Sequence, residues 1–371
     1  MKIAVCAGEK SGDLLGYNLL KELKRDNDSI SFIGVGGSLM ESAGLKSFFP
    51  LKEISYMGLI DPLLNLKKIL KRRREFINFL KKEEPDIFIG IDSPSFNSGI
   101  CKALKKTTNI KTVQYVCPQF WAWRYDRVKK FNYLYDTILS LFPFESELLK
   151  KHNVNHFFVG HPLAEQLLDR SRDFNLREEL KISSEKKIIA ILPGSRNSEI
   201  KHHEGPLIDF ISKYKKESPN AEIILALNKK SDLTKKLKKT LKDCSVIFNN
   251  SQKVLAACDI AVVASGTATL EASILAKPMV VIYKSNFLSN FILSNFFLKT
   301  KFIALPNILS QAQVVFELRQ NEVSGNEIFK KVIITFKKRQ DISSKLTSLR
   351  ETLLVKDKSK FSYAINKLLS S

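Results

Sequence analysis

Short apolar runs alternate with helical periodicity along the whole chain, the pattern of parallel α/β architecture. Strands are predicted at Ile3–Ala7, Ser31–Val35, Ile87–Ile91, Thr112–Val116, Thr137–Leu141 and Phe157–Val159 in the first half. In the second half they fall at Lys187–Leu192, Glu222–Leu227, Ser245–Phe248, Ile260–Ala264 and Met279–Ile282. Between the sets Arg170–Glu185 is polar and charged, which places a linker there. No repeat of short fixed period is visible, so two doubly wound sheets are expected rather than a solenoid. On such sheets ligands bind beyond the carboxyl ends of the strands, so chemistry is sought in the loops that follow them.

One predicted helix, Asp61–Lys82, opens on an N-cap and first-turn pair, Asp61-Pro62. It repeats Leu63, Leu66, Leu70, Ile77 and Leu80 at helical spacing beside Lys67, Lys68 and the basic cluster Lys71–Arg74. Core packing explains the stripe, and the basic residues make contact with a membrane surface a second reading. Asn286–Phe302, where phenylalanines alternate with Lys299 and Lys301, fits either core packing or contact with an acyl chain.

The 371 residues suffice for about two domains with separate cores. No uninterrupted apolar run approaches the roughly 18 residues of a membrane span, and the chain enters a strand pattern at Ile3 rather than a signal peptide, so a cytoplasmic protein is expected. Five scattered cysteines suggest neither a disulfide framework nor a zinc site. The formal net charge of +22 would attract nucleic acid, anionic lipid or phosphorylated substrates alike. Its spread along the chain, without a basic and aromatic RNA-binding motif or zinc-finger spacing, argues against nucleic acid.

Five segments carry candidate chemistry. In Ser265-Gly266-Thr267-Ala268-Thr269-Leu270-Glu271 a buried strand runs into a helix start, where free N–H groups and the positive end of the helix attract phosphate. Glu271 would accept hydrogen bonds from sugar hydroxyls instead. An ordinary helix capped by Ser265 or Thr267 fits the same pattern. Gly194-Ser195-Arg196 follows the first strand of the second half and offers a forked phosphate contact through Arg196. In Gly8-Glu9-Lys10-Ser11-Gly12-Asp13 the acidic residues Glu9 and Asp13, with Ser11, suit sugar hydroxyls better than a phosphate, and the segment is no G-x-G-x-x-G fingerprint. Asp92 closes an apolar strand ahead of Pro94; partial burial would raise its pKa and make it a general base, while capping of the next helix is the alternative. Pro118–Arg124 holds both tryptophans, Trp121 and Trp123, at a spacing that cannot share one helical face, next to Arg124.

Taken with Leu305-Pro306-Asn307, these segments in their order along the chain resemble the lipid-A-disaccharide synthases, inverting glycosyltransferases of the GT-B fold. The resemblance covers nearly the whole chain. It implies two Rossmann-like domains facing a central cleft: residues 1–170 binding the acceptor, 171–350 binding the UDP-sugar, and 351–371 a C-terminal helix packed back on the first. It implies transfer of diacylated glucosamine from UDP to diacylglucosamine 1-phosphate, forming a β-1,6 link, with no metal or cofactor, at the inner face of the cytoplasmic membrane; a homodimer stays open. By resemblance Asp92 is the catalytic base, and Glu9, Ser11, Asp13, Asn97, Trp121 and Arg124 bind the acceptor. Gly194, Ser195, Arg196, Ser265, Gly266, Thr267, Ala268, Thr269, Glu271, Asn307 and Gln320 bind the UDP-sugar. The family's segment reads Ile-Asp-Ala-Pro-Asp-Phe-Asn, whereas this chain has Ser95 in place of the second acid, which leaves a single-base mechanism through Asp92. Rival readings on the same fold are a UDP-N-acetylglucosamine 2-epimerase and the peptidoglycan N-acetylglucosaminyltransferase.

Overall fold

The computed structural model describes residues 1–55, 64–123, 125–232, 234–241, 244–285 and 301–370. Its contacts group into two units, Met1–Pro162 with the chain from Val355 onward, and Leu163–Leu354.

The first unit is built on seven parallel strands: β1 (Lys2–Ala7), β2 (Ser31–Val35), β3 (Leu45–Ser47), β4 (Ile87–Ile91), β5 (Lys111–Tyr115), β6 (Thr137–Ser140) and β7 (His156–Phe158). They run in the order β3-β2-β1-β4-β5-β6-β7, so the winding reverses between β1 and β4. The middle strands are buried on both faces, which is why they read as continuous apolar runs: alternate residues of β1 feed two separate cores, Ile3, Val5 and Ala7 one and Ala4 and Cys6 the other. The C-terminal helix Lys360–Leu369 joins the first of these cores through Phe361, Ala364, Ile365 and Leu368. The Phe361 N–H donates to Glu22 over 2.7 Å and the Ser362 hydroxyl to Asp26 over 2.6 Å, which fixes the start of that helix on Lys10–Asp26.

The second unit has six parallel strands, β8 (Ile188–Leu192), β9 (Glu222–Leu227), β10 (Ser245–Phe248), β11 (Ile260–Ala264), β12 (Met279–Tyr283) and β13 (Phe316–Arg319), in the order β10-β9-β8-β11-β12-β13. Here the reversal lies between β8 and β11. The polar stretch read as a linker is folded into this unit: Leu176 is buried in its core, and Arg177 pairs with Asp259 at 2.9 Å. β3 and β13 were not anticipated; both are short edge strands, and Leu45-Lys46-Ser47 is too brief to show a period.

The basic helix runs Leu66–Glu83, and its expected opening at Asp61-Pro62 lies outside the described residues, as does Asn286–Thr300. Its apolar stripe divides. Phe76 and Leu80 are buried, whereas Leu66 and Leu70 are exposed among Lys67, Lys68, Lys71 and Arg74. Among the described residues no helix is long and apolar enough to cross a membrane.

Candidate functional site

In each unit two of the loops singled out from sequence leave the strands that flank the reversal of winding, the position where a doubly wound sheet opens a crevice. In the first unit these are the loops after β1 and β4. They approach so closely that a Cβ on Gly8 would collide with the Ser93 side chain. Glu9 and Ser11 are exposed where the helix Lys10–Asp26 begins.

Asp92 and Ser93 are both left-handed, with φ 51° and 40°, although neither is glycine. Such residues cost roughly 1–3 kcal/mol each and persist only where their surroundings impose them. Burial raises the Asp92 pKa above the ordinary carboxylate value, and the Ser93 N–H offsets this in part. Among the described residues no cation pairs with it. The helix Pro94–Thr107 takes Ser93 as its N-cap without a side-chain bond, so the Asp92 carboxylate is not spent on capping it. Ser95 is exposed.

Asp13 and Asn97 do not meet solvent as acceptor residues would. Asp13 is buried, and its carboxylate accepts the N–H groups of Gly37, Leu39 and Met40 at 2.8, 3.2 and 3.1 Å, which secures the start of the helix Ser38–Ser42. Asn97 is fully buried and donates to the carbonyl oxygens of Asp92 at 2.9 Å and Cys6 at 3.4 Å. Both residues shape the loops. Trp121 is half-buried, edge-on to Phe144, and its indole N–H donates to Glu145 at 3.4 Å. Glu145 was overlooked in the sequence. It is buried, also accepts the N–H groups of Leu141 and Phe142, and burial pushes its pKa up to about 8. Arg124 lies outside the described residues.

In the second unit a crevice of ≈ 350 Å³ opens at the ends of β8 and β11, lined among others by Gly194, Arg196, Asn228, Ser251, Gly266 and Glu271. The helix Thr267–Ile274 starts at its edge with Gly266 as N-cap and no side-chain cap, so the alternative of a Ser265 or Thr267 cap is not realised. The Thr267 and Ala268 N–H groups, in the first turn, have no intrahelical acceptor. Gly266 has φ 153°, which a residue with a Cβ rarely adopts. Ser265 and Thr269 spend their hydroxyl protons on backbone, on the carbonyls of Ile303 at 3.0 Å and Gly266 at 2.7 Å. Thr269 is also fully buried, so neither hydroxyl is a donor for a diphosphate. Glu271 is half-buried and accepts from Gln252 at 2.9 Å; burial raises its pKa.

The β8 loop is organised by Glu199, which sequence reading passed over although an acid three residues after a helix cap is a known signal. Its Oε2 accepts the N–H groups of Ser195 and Arg196, and its Oε1 pairs with the Arg196 guanidinium. The Ser195 and Arg196 N–H donors are thereby used, and the exposed Arg196 side chain stands open to an anion. Behind it, buried His203 accepts the Lys284 N–H at Nε2 (3.0 Å) and donates from Nδ1 to the Pro193 carbonyl (2.7 Å). That arrangement requires the neutral ring, and burial lowers its pKa accordingly.

Asn307 and Gln320 act at a remove from the crevice. Asn307 is fully buried, and its amide is consumed by Val314, Val315 and Glu317. Glu317 in turn holds the N–H groups of Ile303 and Ala304, and Ile303 receives the Ser265 hydroxyl. Gln320 exchanges hydrogen bonds with Ser285, accepting from its N–H at 3.3 Å and donating to its hydroxyl at 3.1 Å. Among the described residues no group of three or more His, Cys, Asp or Glu could hold a metal ion.

Residues 3–369 match the model of the family described as lipid-A-disaccharide synthetase. The chain is similar to the lipid-A-disaccharide synthase of Azotobacter vinelandii, 40% identical over 350 residues that cover 90% of this chain and 89% of the relative. It is also similar to that of Pseudomonas syringae pv. tomato, 38% identical over 327 residues, 87% of this chain and 86% of the relative. Among solved structures it is similar to UDP-GlcNAc 2-epimerase from Neisseria meningitidis bound to UDP-GlcNAc, with a TM-score of 0.65 at 12% identity over 100% of both chains. It is likewise similar to Acinetobacter baumannii MurG, with a TM-score of 0.60 at 10% identity over 100% of this chain and 99% of the other. At such identities the two structures speak for the fold alone, that of the GT-B proteins.

Proposed function

The chain belongs to the lipid-A-disaccharide synthase family, and we propose from that premise how its residues divide the transfer between them. It is a hexosyltransferase. The donor is UDP-2,3-diacylglucosamine, the acceptor 2,3-diacylglucosamine 1-phosphate, and the products are the β-1,6-linked disaccharide 1-phosphate and UDP.

The observation that carries the division of roles is Asp92: a half-buried carboxylate, raised in pKa by burial, without a cationic partner among the described residues, on a left-handed turn where the first sheet reverses. A carboxylate of raised pKa is a stronger base than a surface one. Asp92 takes the proton of the acceptor's primary hydroxyl as that oxygen attacks the anomeric carbon on the face opposite UDP. The C–O bond to the diphosphate breaks and the configuration inverts. With Ser95 in the same loop, one carboxylate serves.

The diphosphate sits at the start of the helix Thr267–Ile274, where the Thr267 and Ala268 N–H groups and the Arg196 guanidinium meet the charge that grows on the leaving oxygen. Such preorganised stabilisation is often the largest single contribution to catalysis. Glu271 accepts hydrogen bonds from the ribose hydroxyls, since a carboxylate beside the diphosphate would repel it. Glu9 and Ser11 face the acceptor sugar. The exposed Leu66 and Leu70, among Lys67, Lys68, Lys71 and Arg74, dock on the anionic inner face of the cytoplasmic membrane, where both acylated substrates reside. Incubation with the diacylated donor and the sugar 1-phosphate acceptor tests the function: disaccharide and UDP are expected. Turnover of UDP-N-acetylglucosamine without acyl chains, and none of the acylated donor, would favour the epimerase or peptidoglycan reading instead.

A further inference from the structure

Gln114 is the penultimate residue of β5, paired in register with Gly90 of β4, and is fully buried. A buried parallel strand calls for an apolar side chain there. The amide instead shares its two hydrogens among three carbonyl oxygens, those of Asp92 at 3.0 Å, Tyr115 at 3.3 Å and Val116 at 3.3 Å. Its own oxygen is buried without a partner among the described residues. Two of the acceptors share a property. Asp92 begins the left-handed exit from β4, and Val116, a β-branched residue at φ 74°, makes the left-handed exit from β5. One amide therefore ties together the two strained strand ends. Asn97 grips the same Asp92 carbonyl from the following helix and links it to the Cys6 carbonyl of β1.

We infer that Gln114 is a positioning residue for Asp92, holding the Asp92–Ser93 turn left-handed so that the carboxylate faces the acceptor hydroxyl. This rests on the reading of Asp92 as general base. Gln114 does not touch substrate; it acts through the Asp92 carbonyl. Removal of its donors lets the turn relax and misplaces the carboxylate, and a displacement of about 1 Å is enough to cost on the order of 100-fold in rate.

The test compares Gln114→Met, which keeps the size and loses the donors, with Gln114→Glu, which burial keeps protonated with one O–H donor, and with Asp92→Asn. Turnover is normalised to UDP-binding sites, which lie on the other unit. Gln114→Met is expected to lose about 10- to 100-fold in kcat with both KM values within about twofold, and Gln114→Glu to recover part of that loss. Wild-type kcat in Gln114→Met, or a change confined to KM, would overturn the inference. Should Gln114→Met not fold, Gln114→Asn, whose shorter side chain draws the donors back from the Asp92 carbonyl, takes its place: a lowered kcat at unchanged KM supports the inference and a wild-type kcat overturns it. Activity retained in Asp92→Asn would instead remove the base assignment itself, a separate outcome from the failure of Gln114.

Discussion

Glu199 holds Arg196 twice, accepting its backbone N–H at 3.3 Å through one oxygen and pairing with its guanidinium at 2.9 Å through the other. The pair is exposed on the Arg196 side, so it contributes little to stability. Its effect is to set the direction of the cation at the mouth of the crevice. Arg196→Ala is therefore expected to lower kcat by about 10²–10³-fold while leaving the thermal midpoint close to wild type. Steady-state kinetics and a melt on one preparation separate the two effects, and a large stability loss would show that Arg196 is structural.

Gly194 carries the opposite expectation. Its φ is 129°, and a Cβ would stand 2.8 Å from that of Glu199. Gly194→Ala should destabilise the second unit by about 1–3 kcal/mol and weaken UDP binding, because the loop that Glu199 organises must shift. Denaturant unfolding and calorimetric UDP titration read both; wild-type values in each would refute the need for glycine.

The fold was legible wherever burial writes itself into composition. The strands buried on both faces read as apolar runs and the loops at both reversals of winding stood out, whereas the edge strands β3 and β13 are too short to declare a period. Polar residues were harder. A carboxylate that accepts three backbone N–H groups, as Asp13 does, and an amide consumed by a neighbouring loop, as in Asn307, look in sequence like residues waiting for a ligand. Gln114 had the reverse fate. In a strand, a single polar residue reads as one that faces solvent, and only the structure shows its amide against the Asp92 carbonyl.

Glu145 makes stability depend on pH. Burial lifts its folded-state pKa to about 8 from an ordinary value of 4.5. The folded chain therefore keeps this proton at a pH where the unfolded chain has released it. The resulting stability is complete below about pH 4.5 and is lost as pH rises through about 8. Glu145→Gln should flatten that part of the profile in denaturant melts, and the tryptophan emission of the wild type should shift over the same range as the Trp121 N–H partner changes charge. An unchanged slope in Glu145→Gln would contradict the assignment.

The division of the basic helix into a buried and an exposed part separates docking from catalysis. Leu66→Ser with Leu70→Ser removes exposed apolar side chains that belong to neither core of this unit, so the fold should be kept. Co-sedimentation with vesicles containing anionic lipid is expected to fall several-fold, with turnover of short-chain, water-soluble substrates unchanged. Undiminished binding would assign the membrane contact to another segment.

The central claim is that Asp92 alone removes the acceptor proton, and Asp92→Asn tests it most directly. The substitution keeps shape and removes the base. Turnover of the diacylated donor and acceptor is expected to fall by about 10²–10⁴-fold with UDP affinity unchanged. An Asp92→Asn enzyme that retains most of its activity would contradict the account.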